Sequence, residues 1–201
     1  MATEVEKTSV SPLRCSPHIR SLLERMHALD KASQSLITEA EYHAIRDLHL
    51  TDPIAGGRAY DRLCESIFAS IDENKCHFIY QLILATKATT IVEAGTGYGL
   101  STIYMALAVE QNVKRYGGNG VVIATEYVAE KAAQARKYWA EAGREVEKRI
   151  ELLEGDAMET LEKRVTNNEK CEVDFVLVDS EYTPFSAQLL SFLGFLRRTV
   201  R

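Results

Sequence analysis

The chain has 201 residues, 46% hydrophobic and 26% charged, which is enough apolar material for one globular domain with a sizeable core and too much for a disordered chain. A formal net charge of −5 with scattered lysines and arginines argues against a general nucleic-acid binder, which needs clustered cations to neutralise phosphates. The N-terminus carries Glu4 and Glu6 without an apolar signal region, no long apolar run occurs, and Cys15, Cys64, Cys76 and Cys171 form no C-x-x-C pair; a cytoplasmic protein with reduced thiols and no membrane or metal partner is expected.

In chain order, residues 1–17 read as a loose polar leader holding Pro12 and Pro17. Residues 18–71 read as a helical extension. Its first helix, His18 to Leu29, carries the apolar stripe Ile19, Leu22, Leu23, Met26 and Leu29. A second helix is expected over Thr38 to Leu48. Asp52-Pro53 and Gly56-Gly57 then read as a break, with helical pattern resuming from Ala59 to Ile71. From residue 72 onward strands and helices alternate. The predicted strands are Thr90–Ala94, Val121–Thr125, Ile150–Leu153 and Val173–Val178. The predicted helices are Cys76–Thr86, Ser101–Asn112, Ala129–Ala142, Ala157–Arg164 and one beginning at Pro184, with Thr183 as its N-cap. Continuous β-branched runs separated by helices predict an α/β fold, a doubly wound Rossmann-like parallel sheet whose ligand crevice lies at the carboxyl ends of the strands.

The stretch from Thr90 to Thr102 runs from a buried strand through Gly95, Gly97 and Gly99 into a helix. Alternate glycines let backbone N–H groups approach a ligand. The pattern is G-x-G-x-G rather than the dinucleotide G-x-G-x-x-G, and Glu93 stands two positions ahead of it, so a cationic ligand suits it better than a pyrophosphate and a nicotinamide oxidoreductase is disfavoured. Glu126, at the end of the second strand, can accept both hydroxyl protons of a ribose, or can simply be an acid placed by a helix dipole. Asp156 is positioned either to meet the ligand or to cap the helix from Ala157. Asp179 closes the fourth strand, and His77 reads as lying near the substrate mouth, as either a base or a structural histidine. Tyr98 is expected to face the ligand, Trp139 to pack in the core, and Lys114 to Gly120 to form a solvated loop.

Over roughly Asp72 to Asp179 these motifs resemble the class I S-adenosylmethionine-dependent methyltransferases, and within them the catechol O-methyltransferase-like small-molecule enzymes. The resemblance implies S-adenosylmethionine as cofactor. It places Glu93, Gly95, Thr96, Gly97, Gly99 and Ser101 around the methionine end, Glu126 at the ribose, and Asp156 and Ala157 at the adenine. Asp179 joins that cofactor-binding set and, with His77, supplies the catalytic candidates. In catechol-type relatives the equivalent aspartate holds magnesium together with an Asp-Asn pair from the following strand. Here that segment and the family's nearby lysine are absent, the chain continuing Ser180-Glu181-Tyr182-Thr183-Pro184, so the resemblance gives little support to magnesium or to a lysine base. A metal-independent branch with Thr-Pro after the aspartate is the better likeness. The implied reaction is methylation of a small-molecule hydroxyl, phenolic or enolic. The alternative is a catalytically impaired cofactor-binding or partner-binding remnant of the fold.

Only 22 residues follow Asp179, too few for the fifth strand and antiparallel pair of a complete fold of this kind, so the C-terminal strands are expected to be missing. An unpaired fourth strand and the apolar run Leu189 to Leu196 would then favour a homodimer or aggregation.

Overall fold

A computed structural model describes residues 11–166 and 172–179 of the chain. Eight helices and four strands follow one another: α1 (Pro17–Gln34), α2 (Glu39–Thr51), α3 (Pro53–Ser66), α4 (Glu73–Thr86), β1 (Thr90–Ala94), α5 (Leu100–Tyr116), β2 (Val121–Glu126), α6 (Ala129–Ala142), α7 (Arg144–Glu147), β3 (Ile150–Glu154), α8 (Ala157–Thr166) and β4 (Phe175–Val178). The expected helix at Pro184 and the apolar run from Leu189 lie outside the described residues.

The four strands form one parallel sheet in the order β3-β2-β1-β4. Val92 lies between Ile123 on β2 and Val176 on β4. Alternation along β1 divides the core. Ile91 faces a large cluster built with Tyr80, Ile83, Ile103 and Leu107 of α4 and α5, while Val92 and Ala94 join Ile123 and Leu161 on the α8 side. Asp174 fixes where β4 begins, its carboxylate accepting from the N–H groups of Thr89 (2.8 Å) and Thr90 (2.9 Å). Asn112 of α5 ties α4 to β1 by donating to the carbonyls of Ile83 (2.9 Å) and Ala88 (2.8 Å).

The helices ahead of the sheet differ from expectation in three ways. The leader is docked from residue 11: Leu13 is buried, the Arg14 N–H donates to the Tyr80 hydroxyl at 3.2 Å, and Pro17 is the first helical residue after the N-cap Ser16. On α1 the buried stripe ends with His27 and Asp30, and Leu29 is exposed. Gly56 and Gly57 do not break the chain; they lie inside α3 and are buried, because α2 and α3 cross so closely there that a Cβ on Gly56 would lie 2.6 Å from the Cβ of His49. Close helix approach, rather than chain reversal, is what the glycine pair serves. Thr38 and Glu41 cap α2 reciprocally.

Candidate functional site

The carboxyl ends of the strands are brought level by hydrogen bonds that run past them. Thr96 N donates to Thr125 O, Gly155 N to Glu126 O and Asp179 N to Ala94 O, each at 2.9 Å. At this rim opens a cavity of about 850 Å³. Its floor is Gly95, Gly97, Thr125 and Glu126, one side is Asp156, Ala157 and Asp179, and the opposite wall comes from α3 and the segment leading to α4.

The glycine loop is held from two directions. Above it, Glu126 accepts from Gly97 N at 2.6 Å and from Val128 N at 2.8 Å, one bond to each oxygen. A carboxylate lining the cavity is the kind of acceptor that a pair of vicinal hydroxyls requires. Burial raises the Glu126 carboxyl above its ordinary range, against the pull of the Val128 and Gly97 N–H groups. Below it lies Glu93, wholly buried, accepting from Thr96 Oγ1 (2.9 Å), Thr102 Oγ1 (2.6 Å) and Ser101 Oγ. Burial drives the Glu93 carboxyl up to about 7 in spite of those three donors. Gly99 adopts φ +77° and packs against Trp139, whose indole N–H donates to the Gly99 carbonyl at 3.0 Å; a Cβ there would lie 2.7 Å from Cε2 of the indole.

Of the residues singled out from sequence, Gly95, Gly97, Glu126, Asp156, Ala157 and Asp179 share this one cavity. Glu93, Thr96, Gly99 and Ser101 do not line it. Glu93 shares its strand face with Ile91, so its carboxylate is turned beneath the loop, where its three hydroxyl donors fix the loop's shape. Asp156 lines the cavity and also caps α8, accepting from Glu159 N at 2.9 Å. His77 is not at the mouth: its ring reaches Ser11 Oγ at 3.2 Å and meets the edge of Tyr104, away from the cavity lining. Tyr98 does not face the cavity either, being stacked on Phe68 with centroids 4.4 Å apart. Trp139 packs in the core as expected.

Sequence reading missed the wall. Tyr60, Asp61, Cys64 and Glu65 of α3, Ser70, Tyr127 and Lys131 all line the cavity. Lys131 is 6% exposed, donates to the carbonyl of Cys64, and sits 5.3 Å from the centroid of Tyr98. Burial lowers its pKa. A lysine in the first turn of α6 opposes the helix dipole, and that anomaly was the available signal. The Tyr127 hydroxyl, from the residue after β2, donates to Glu65 at 2.7 Å, a second tie to α3. The described charged residues of the lining are Asp61, Glu65, Asp72, Glu126, Asp156 and Asp179 against Lys75 and Lys131, a field that favours a cation.

A family model described as O-methyltransferase matches residues 61–198, more than half of the chain. The chain belongs to the O-methyltransferase family. Two curated O-methyltransferase relatives from Dictyostelium discoideum, probable caffeoyl-CoA O-methyltransferases 2 and 1, are 30% and 29% identical over 124 residues, covering 62% of this chain and 50% of theirs. The chain thus spans about half the length of the curated relatives it matches. Among solved structures, the Streptomyces achromogenes O-methyltransferase TomG in complex with SAM superposes with TM-score 0.54 at 22% identity, over 89% of this chain and 70% of TomG. The Bacillus cereus O-methyltransferase in complex with SAH gives 0.52 at 18%, over the same shares. At these identities the likeness establishes the O-methyltransferase fold. Among the described residues no helix is long and apolar enough to cross a membrane.

Proposed function

We propose that this chain binds S-adenosylmethionine in the 850 Å³ cavity and transfers its methyl group to a hydroxyl of a small molecule, of phenolic or enolic type. The observation that carries the reading is Glu126, a carboxylate at the end of β2 that is held by the N–H groups of Gly97 and Val128 and lines the same cavity as Gly95 and Gly97. That acceptor fits a ribose diol, and the acidic lining fits a sulfonium. The cavity lies within the range of about 300–1,000 Å³ typical of small-molecule sites. The names of the Dictyostelium relatives support a phenolic acceptor.

When bound, the cofactor supplies a methyl carbon activated by positively charged sulfur. What the protein contributes is position. Gly95 and Gly97 let the chain approach the ligand without side-chain obstruction, Glu126 orients the sugar, and Asp156 with Ala157 bounds the far end. The α3 wall, tied down by Lys131 and by Tyr127, screens the reacting atoms from water. Asp179 is the proposed contact to the cofactor's charged end. Magnesium is not part of this proposal, and adding magnesium or EDTA should change neither cofactor affinity nor methyl transfer; activity lost on chelation and restored by magnesium would overturn that. We also propose self-association, supported by Leu36, Leu50 and Ile54, which expose 77%, 76% and 57% of their surface on the α2–α3 hairpin and the turn before it. Light scattering across micromolar concentrations that found only monomer would refute it. The central test is calorimetric titration with S-adenosylmethionine, S-adenosylhomocysteine and NAD, followed by methyl transfer to a panel of phenols. Binding of the first two and not the third is expected; preference for NAD would overturn the reading.

A further inference from the structure

The cavity of about 850 Å³ has to hold cofactor and acceptor together, although its volume is that of a site for one small molecule. With the cofactor on the floor at Gly95, Gly97 and Glu126, the space left suits a single ring, and any longer substituent has to leave through the mouth. Part of the lining beyond that floor is the junction between the start of α4 and the end of β4. Burial first, and then the charges of Glu93, Asp179 and Asp72, raise the Cys76 thiol, so these carboxylates stand around the start of α4. The surface that this junction gives the cavity is apolar, with Ile71, Ile79, Leu177 and Val178, and it carries Phe78, an aromatic ring left 66% exposed. A flat ring is the shape that covers such a surface best.

The mouth, by contrast, is acidic. Of the described lining residues that are exposed, Glu65, Asp72, Asp156 and Asp179 are carboxylates and Lys75 is the one cation. Lys131 is buried and donates to the Cys64 carbonyl. Asp61 and Glu65 stand one turn apart on α3, a like-charge spacing that costs a helix stability, and burial together with Glu65 raises the Asp61 carboxyl against the pull of Arg62. A cation brought to this pair relieves the repulsion, whereas an anion adds to it. Coenzyme A, which appears in the names of the Dictyostelium relatives, carries three phosphate groups. From cavity size, exposed ring and charge together we infer that the methyl acceptor is a single-ring phenol with a neutral or cationic substituent, seated on Phe78, and not a coenzyme A thioester. The inference rests on the methyltransferase reading and names its substrate class. The ring covers Phe78, and the substituent leaves past Asp61, Glu65 and Asp72, which select its charge.

The test uses the full chain and a matched series built on one catechol ring: 4-(2-aminoethyl)catechol, 4-ethylcatechol, 4-carboxymethylcatechol and caffeoyl-CoA. Binding to the protein loaded with S-adenosylhomocysteine, and kcat/KM for methylation with S-adenosylmethionine, are measured for each. The aminoethyl compound should exceed the carboxymethyl one by about 10-fold or more in kcat/KM, with the ethyl compound between them and caffeoyl-CoA about 100-fold or more below the ethyl compound. The preference should shrink as ionic strength rises, because charges at the mouth are screened. Asp61→Lys should cut the preference by about 10-fold, and Asp72→Asn, which keeps an N-cap on α4, should lower it as well. Phe78→Ala, at an exposed position where folding is not at stake, should raise KM across the series by about 10-fold while affinity for S-adenosylhomocysteine stays at the wild-type value. Caffeoyl-CoA methylated as efficiently as 4-ethylcatechol, a preference for the carboxymethyl compound, or unaltered KM values in Phe78→Ala would overturn the inference. So would a protein that binds S-adenosylhomocysteine and none of the small catechols. Wild type that does not bind the cofactor at all would instead sink the methyltransferase reading.

Discussion

Replacing Glu93 by Gln should flatten the dependence of stability on pH between about 4.5 and 7, with the wild type gaining on the variant as pH falls. The carboxyl is wholly buried, and three hydroxyl donors only partly offset the cost of burying its charge. Its folded pKa of about 7 stands above its ordinary value of 4.5, so the folded state holds more proton than the unfolded one between these limits. Its contribution to stability is therefore fully present below 4.5 and is lost as pH rises through 7. A shift of this size corresponds to roughly 3 kcal/mol across the window, at 1.36 kcal/mol per pKa unit. The measurement is urea unfolding of wild type and Glu93→Gln at several pH values, taking the difference between the two proteins so that other titrating groups cancel. A difference that stays constant with pH, or that moves in favour of wild type as pH rises, would refute the burial argument.

Glu126→Ala should weaken S-adenosylmethionine binding by about 1–3 kcal/mol, since ribose hydroxyls would lose a charged acceptor; equal calorimetric affinities would remove Glu126 from the site. Gly99→Ala should destabilise the fold by about 2–4 kcal/mol in urea titration, from left-handed backbone strain and overpacking against Trp139, and a neutral result would show that the indole gives way freely. Glu110 is 3% exposed and bonded to Lys148 and Arg149; burial alone would raise its carboxyl, but these partners and Lys114 hold it down to about 2. Its stabilisation is accordingly present above its ordinary value of 4.5 and lost as pH falls toward 2, so Glu110→Gln should unfold at higher pH than wild type in an acid titration followed by circular dichroism. Coincident acid transitions would contradict this.

Most of the sheet was legible in the sequence because apolar β-branched runs end in polar or glycine residues: β1 has the predicted bounds, and β2 and β3 extend the prediction by one residue each. The cavity residues at strand ends followed from that framework. What escaped were features set by facing rather than by position. Glu93 and Gly95 are two residues apart, yet the carboxylate lies on the Ile91 face of β1, under the loop, while Gly95, just past the strand end at Ala94, borders the cavity. His77 was misplaced because the rotation of α4 about its axis is decided by packing against Tyr104 and Ser11, neither of which is near it in sequence. The start of α3 escaped because Gly56-Gly57 suggests a turn by propensity, whereas the close crossing with His49 that makes the pair tolerable inside a helix is a tertiary fact.

Helix α2 has no buried residue, and α3 buries only its two glycines. The hairpin they form therefore draws little of its own stability from the sheet's core, and its hold on the rest of the molecule runs through a lysine, a tyrosine and the segment leading to α4. Substitutions over most of its surface carry almost no folding penalty, whereas comparable changes in β1 or α5 would. Of the proposed site, the half built on the strand ends is thus mechanically locked, and the half built by the hairpin is cheap to rewrite. Under the proposed function, a chain organised this way exchanges one acceptor for another by altering the hairpin alone, without renegotiating its fold.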